Sequence, residues 1–396
     1  MYLKNFYICC IIIYYYIITK DRHMEIYFDN SATTPLCEAA KNAIMQNIDI
    51  YGNPSSLHAK GFEAEQLLTS CRKKIADTLG HTKEEIFFTS CGSEANNLAI
   101  TGGALAKIRR GNRIITTDSE HPSVQEPIRK LADMGFEVIY LSTKGGKIDT
   151  DELKNALNDK TVLVSVMHTN NETGAVYGVD KLVPTIRRLA PEALIHCDFV
   201  QGYLKSRAIP DADLISISAH KVHAPKGVGA LYKKKGVRIL PQLLGGGQEN
   251  GMRSGTENLL SIAAFADAAQ HFHATLAQDI NNMNELRDYI KQGLSTLDGV
   301  GFNEPENHCP NILSAYFTGI RSEVMLHFLS EKGIYVSSGS ACSSKKGKSG
   351  VLTAFGADKN ADFTLRISLS TYNTREQADA LFEAAALGIE KLQKIR

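Results

Sequence analysis

This 396-residue chain has almost no excess charge of either sign: 44 Lys plus Arg stand against 43 Asp plus Glu, a net charge of +1. So balanced a surface has no long-range field to gather nucleic acid or anionic membrane. A small molecule or a protein is the expected partner, and direct nucleic-acid binding is not expected. The eight cysteines, at 9, 10, 37, 71, 91, 197, 309 and 342, include no C-x-x-C pair and no dense framework. That spacing excludes the usual zinc and disulfide-scaffold readings and points to a reduced, cytoplasmic chain with no metal site. An apolar run of spanning length is missing too. The strongly apolar segment Phe6 to Ile18 has 13 residues, whereas a membrane helix takes about 20, and no small-residue cleavage site follows it. Residues 1–23 are therefore expected to be an extension ahead of an initiator at Met24, with a peripheral anchor or uncleaved signal as the alternative. No repeat or low-complexity linker interrupts the rest. Since one domain usually takes about 100–200 residues, two tightly packed domains are expected.

From about residue 36 to 260, helix-period stretches alternate with short apolar runs, a pattern that predicts parallel strands joined by crossover helices. The strand candidates are 86–88, 113–116, 138–141, 162–167, 194–197 and 214–217. They are apolar without clean alternation, as suits a sheet covered on both faces. Amphipathic helices are expected at 63–79, 93–109, 123–134 and 181–189. After residue 256 the rhythm changes to two long helical stretches, a strand at 312–317, a helix near 323–332, a Ser/Gly/Lys-rich loop, a strand at 364–370 and a final helix from 374. The expected organisation is an α/β large domain at 36–260, and a smaller α+β domain built from 24–35 with 261–396.

In open α/β sheets, ligands collect where strands end and loops begin. Nearly every predicted strand here ends in a polar group. Thr89-Ser90-Cys91-Gly92-Ser93-Glu94 is a small-residue turn opening a helix, where free N–H groups and the helix dipole suit a phosphate. Glu120-His121, His168-Thr169-Asn170-Asn171-Glu172, Asp198 with Gln201, and Ser218-Ala219-His220-Lys221 follow at successive strand ends. Any one of these would ordinarily be a helix cap or a solvated loop residue; their convergence is the signal. A lysine beside an acid, a histidine and a phosphate-ready helix start is the set that pyridoxal phosphate requires. The lysine forms the Schiff base, a carboxylate keeps the pyridine nitrogen protonated and an aromatic ring stacks on the cofactor.

Competing motifs fail on spacing. Gly347-Lys348-Ser349 resembles the end of a P-loop, but the leading glycine would fall at Cys342. Gly245-Gly246-Gly247 lacks dinucleotide spacing, and the basic clusters Lys233-Lys234-Lys235 and Lys345-Lys346 are short enough to be solvated surface. Cys342 stands in Ser337-Ser338-Gly339-Ser340-Ala341-Cys342-Ser343-Ser344, a stretch without apolar periodicity and followed by lysines. It reads as an exposed loop cysteine whose thiolate the lysines would favour.

These residues together resemble the cysteine desulfurase family of class V, fold-type I pyridoxal-phosphate enzymes, from Tyr27 to the C-terminus. The stretches 27–35, 53–58, 245–256 and 338–342 all resemble family signatures, in family order. The resemblance implies a large domain with a mostly parallel seven-stranded sheet and a small domain carrying the catalytic cysteine loop. It makes Lys221 the Schiff-base lysine, pairs Asp198 with the pyridine nitrogen and stacks His121 on the ring. Asn171 and Gln201 would bond the cofactor's phenolic oxygen side. Gly92, Ser93, Ser218 and His220 would hold the phosphate with Thr256 of a second copy, which implies a homodimer. Arg366, with Asn171, would bind the substrate carboxylate. L-cysteine would give L-alanine, with its sulfur kept as a persulfide on Cys342. An iron–sulfur scaffold or a tRNA-thiolation enzyme would then accept that sulfur, and the long stretch from Cys342 to Val351 resembles the subgroup with an extended cysteine loop. The chain departs from the commonest family form at 90–95, where Ser93 supplies the hydroxyl, and at Phe199, where the family has alanine near the ring. Selenocysteine lyase or aminotransferase chemistry on the same fold is the alternative, and a non-enzymatic scaffold is argued against by the intact residue set.

Overall fold

The computed structural model describes residues 25–338 and 349–393. Residues 1–23 and Cys342, both singled out above, lie outside the described residues.

The chain opens with a short strand β1 (Ile26–Tyr27) and then builds a large sheet. Its strands are β2 (Ile86–Thr89), β3 (Arg113–Thr117), β4 (Glu137–Leu141), β5 (Thr161–Met167), β6 (Leu194–Asp198), β7 (Leu214–Ser218) and β8 (Gly229–Lys233). The seven lie in the order β2-β8-β7-β6-β5-β3-β4, all parallel except β8, which runs antiparallel to both neighbours. Side chains alternate faces along each strand. Ile114, Leu163, Leu194 and Leu214 pack to one side with the helices Gly92–Lys107 and Pro122–Asp133. Ile115, Val164, Ile195 and Ile215 pack to the other with the helices Glu38–Asn47, Ala59–Leu79 and Val179–Leu189. Cover on both faces explains why β5, β6 and β7 are buried throughout.

A second core surrounds an antiparallel sheet in the order β12 (Ser337–Ser338), β13 (Thr364–Ser368), β10 (Ile312–Phe317), β9 (Val300–Phe302). β1 pairs in parallel with β11 (Ile334–Tyr335), which brings Ile26 and Phe28 into this core with Leu313, Phe317, Leu365 and Leu381.

Where the sequence reads as two long helical stretches after residue 256, the structure has one continuous 37-residue helix, Leu259–Ser295. Its first half buries Leu259 to Phe272 in the first core and its second half buries Leu286, Ile290 and Leu294 in the second. The exposed stretch between them interrupts the apolar pattern without interrupting the helix. Strand β8 falls on residues read as the flank of a basic surface cluster; it is buried between β2 and β7.

Candidate active site

The C-terminal ends of the parallel strands deliver the polar residues to one edge of the sheet. At the end of β6, Asp198 is 7% exposed and is held by both oxygens, Oδ2 accepting from Asn96 Nδ2 at 2.8 Å and Oδ1 from Val200 N at 3.0 Å. Asn96, from the helix Gly92–Lys107, also donates to Ser123 Oγ at 2.9 Å, tying the acid to the start of the next helix. His121 caps that helix: its Nδ1 accepts from Ser123 N at 3.1 Å, which leaves the proton of the neutral ring on Nε2. The ring is open at the mouth of the cleft yet surrounded by protein, and desolvation holds its pKa below the ordinary histidine value, with Asp198 pulling up and Lys221 pushing down. The acid, the base and the lysine therefore act on one another electrostatically.

Lys221 ends the turn after β7. Its Nζ donates to the carbonyls of Ser31 at 2.6 Å and Ala32 at 2.8 Å, so the stretch 29–34 closes over the lysine. His220 meets Thr33 Oγ1 at 3.2 Å, and burial with the neighbouring Lys221 charge brings its pKa to about 4.

The helix start at Gly92 is built to approach something closely. A Cβ at Gly92 would stand 2.8 Å from Val200 Cγ2 and 3.1 Å from the Ser218 Cβ. Its N-cap, Cys91, makes no side-chain cap hydrogen bond, so the first N–H groups stay available for an anion. Glu94 in that first turn would oppose an anion, but Arg253 Nε binds it at 2.8 Å. Among the described residues, the buried atoms Ser218 Oγ, Gln201 Oε1, Ser31 Oγ and Asn96 Oδ1 have no hydrogen-bond partner. Leaving such atoms unpaired costs about 1–3 kcal/mol each, so these four, around Asp198 and Lys221, mark a demand for donors and acceptors that a ligand would meet. An uncapped helix start for an anion, a buried carboxylate and a lysine amine, gathered at one edge of the sheet, fit pyridoxal phosphate.

Arg366, on β13, is 6% exposed and reaches the same cleft. It donates to Asp29 Oδ1 at 2.7 Å and to the Asn171 carbonyl at 2.9 Å, and its buried Nε has no partner. The Asn171 turn is shaped by Asn170, whose Oδ1 accepts from the N–H groups of Glu172 and Thr173, both at 2.9 Å. Glu172 in turn accepts from Ser349 Oγ at 2.6 Å. That bond secures the chain on the C-terminal side of 339–348, while β12 secures it on the other side by pairing Ser337 with Arg366.

Gln201 Nε2 donates to the Ser31 carbonyl at 2.9 Å, so it stands over the same closing stretch. Thr256 is apart from this set. It is exposed and lines a groove of about 230 Å³ with Thr89, Ser90 and Arg253. Phe199 is fully buried in the core, its ring centroid 4.8 Å from that of His168 in an edge-to-face arrangement and its ring against Tyr203. Sequence reasoning missed Asn96, Asp29 and Lys205. Among the described residues, no group of three or more His, Cys, Asp or Glu could hold a metal.

Glu120, beside His121, is a buried acid 1% exposed. It accepts from Thr117 Oγ1 at 2.7 Å and Met167 N at 2.9 Å, and desolvation lifts its pKa from 4.5 to about 8 despite those bonds. The folded chain thus binds this proton more tightly than the unfolded chain. The resulting stability is fully present below about pH 4.5 and is lost as pH rises through about 8, on the order of 1.4 kcal/mol per unit across the window. Glu120→Gln keeps the acceptor oxygen and cannot ionise. Its melting temperature should fall less than that of the wild type between pH 5.5 and 8.5; parallel curves in a calorimetric pH series would contradict a neutral Glu120.

Residues 26–381 match the aminotransferase class-V family, and the chain belongs to its cysteine desulfurase branch, a family of pyridoxal-phosphate enzymes. The chain is 40% identical to a NifS/IcsS protein homolog of Lactobacillus delbrueckii subsp. bulgaricus over 91% of its own length and 96% of the relative's. It is 38% identical to a cysteine desulfurase IscS of Dictyoglomus turgidum, over 94% and 96%. Among solved structures, a NifS-like protein superposes with a TM-score of 0.87 at 36% identity, covering 94% of this chain and all of the other. A structure of SspA in complex with cysteine superposes at 0.76 with 31% identity, covering 88% and 100%.

Proposed function

We propose that this protein removes sulfur from L-cysteine, releasing L-alanine and leaving a persulfide on Cys342 for transfer to an acceptor protein. The observation that carries the reading is the convergence of Lys221, Asp198, His121, the uncapped Gly92 helix start and Arg366 on one cleft. When bound there, pyridoxal phosphate supplies an electron sink that weakens bonds at the substrate's carbons. The rest falls to the chain's own side chains. Gly92, Ser93, Ser218 and His220 would hold the cofactor's phosphate, Asp198 would keep its pyridine nitrogen protonated, and the neutral His121 ring would stack on it. Asn171 and Gln201 address the phenolic side. Arg366 binds the substrate carboxylate, its guanidinium already oriented by Asp29 and the Asn171 carbonyl. Lys221 would carry the cofactor between turnovers and move protons at the substrate carbons. Cys342 attacks as thiolate: a sulfur–sulfur bond forms, the substrate's carbon–sulfur bond breaks with its electron pair left on carbon, and a proton completes the alanine.

The two cores are read as two domains joined by the helix Leu259–Ser295. Thr256, exposed and apart from the cleft, is read as serving the site of a second copy, in a homodimer. Cysteines 37, 71, 91, 197 and 309 are unpaired, and among the described residues no helix is long and apolar enough to cross a membrane. The unpaired cysteines support a cytoplasmic setting. The sulfur acceptor is read as an iron–sulfur scaffold or a tRNA-thiolation enzyme.

Sodium borohydride reduction of the reconstituted protein, followed by peptide mapping, tests the cofactor reading. The cofactor is expected on the peptide containing Lys221, and its recovery on another lysine would overturn the assignment.

A further inference from the structure

A second lysine stands behind the first. Lys205 lies in the turn after β6, where Tyr203 N bonds the Phe199 carbonyl at 2.7 Å and Lys205 N bonds the Gly202 carbonyl at 3.0 Å. The residue before it, Leu204, is held at φ 55°, a left-handed conformation that strains a bulky side chain, so packing enforces this placement. Lys205 is 9% exposed, and its Nζ donates to the backbone carbonyl of Lys221 at 2.8 Å. No carboxylate among the described residues lies within ion-pair distance of it, although a buried ammonium ordinarily has such a partner. Lys205 and Lys221 both line a cavity of about 20 Å³, room for one water, together with Thr34, His223 and Asp279. The other titratable groups near Lys205 are His220, His223 and Cys309.

A charge buried without a counter-charge is costly, and removing it would ordinarily stabilise a protein. Its presence one carbonyl from the cofactor lysine therefore asks for a function. We propose that Lys205 is a positioning residue for Lys221: its ammonium fixes the Lys221 carbonyl and adds positive charge behind the Lys221 side chain, favouring that amine in its neutral form. The inference rests on the reading of Lys221 as the lysine that carries the cofactor. An ammonium has no lone pair with which to bond the cofactor's carbonyl carbon. Each time the substrate leaves, Lys221 must return as a free amine, and a neighbouring cation makes it one. Desolvation, and then the Lys221 charge, bring the pKa of Lys205 itself down to about 7, so its ammonium, and with it the effect on Lys221, is present below about pH 7 and lost above it.

The test is a pH titration of the cofactor's visible absorbance in the holoenzyme, without substrate, for the wild type, Lys205→Met, Lys205→Gln and Lys205→Arg. Gln keeps a donor for the Lys221 carbonyl but carries no charge, which separates the electrostatic role from the hydrogen bond. The midpoint for the Lys221–cofactor bond should rise by at least about one pH unit in the Met and Gln variants, a tenfold change in proton affinity. It should stay near the wild-type value in the Arg variant. Met and Gln variants that fold, by circular dichroism, and titrate with the wild-type midpoint would overturn the proposal; so would an Arg variant shifted as far as Met. If the wild type itself forms no Lys221-linked chromophore, the cofactor-lysine reading fails first, an outcome distinct from an unshifted midpoint.

Discussion

Replacing Lys221 by alanine is expected to lower alanine release from L-cysteine by on the order of a thousandfold or more, because one side chain performs two tasks. On the proposed reading, the amine holds the cofactor covalently between turnovers and moves protons at the substrate carbons. It is enclosed by the Ser31 and Ala32 carbonyls, and Lys205 is tied by its own Nζ to the Lys221 carbonyl. Lys221→Arg should fail nearly as badly, since a guanidinium stays protonated and offers no free amine. The cofactor should nonetheless remain bound noncovalently, because the Gly92 helix start, Ser218 and Asp198 are untouched. Dialysis should therefore strip it from Lys221→Ala far faster than from the wild type, and absorbance after dialysis measures this directly. A variant that kept its colour through dialysis and its full alanine yield would remove Lys221 from the mechanism.

Much of this site was legible in the sequence, for a definite reason. Each parallel strand is a compact apolar run ending in a polar residue, so β3, β5, β6 and β7 announce both themselves and their terminal groups: His121, His168 to Glu172, Asp198, and Ser218 to Lys221. The residues that escaped notice act through partners remote in the chain. Asn96 reaches Asp198 across 102 positions, and Arg366 reaches Asp29 across 337. No local pattern encodes such contacts. Lys205 escaped for a different reason: a lysine in a polar turn after a strand reads as solvated, and only the packed turn at Leu204 buries it. Strand β8 was hidden because its Gly start and Lys end suit a loop; it is a strand because β2 and β7 both pair with it. The long helix was legible only where it meets a core, since the turns from His273 to Asp279 face outward. The family resemblance added what periodicity cannot supply, namely an expected task for each polar residue.

The second large effect falls on the thiol. Cys342→Ala leaves untouched Arg366 and every group proposed to bind the cofactor, so the variant should bind pyridoxal phosphate and L-cysteine, with the same absorbance change on substrate addition as the wild type. It lacks the nucleophile that takes the sulfur. Alanine formation should therefore fall on the order of a thousandfold or more, whereas transamination would proceed without that thiol. The most direct measurement is a single turnover of purified, reconstituted protein with L-cysteine, quantifying L-alanine while mass spectrometry follows the peptide containing Cys342. The account predicts one alanine per persulfide on that peptide in the wild type, and neither product in Cys342→Ala. Alanine formed equally well by the variant, or a wild type that binds cofactor and substrate yet gains no sulfur at Cys342, would contradict it.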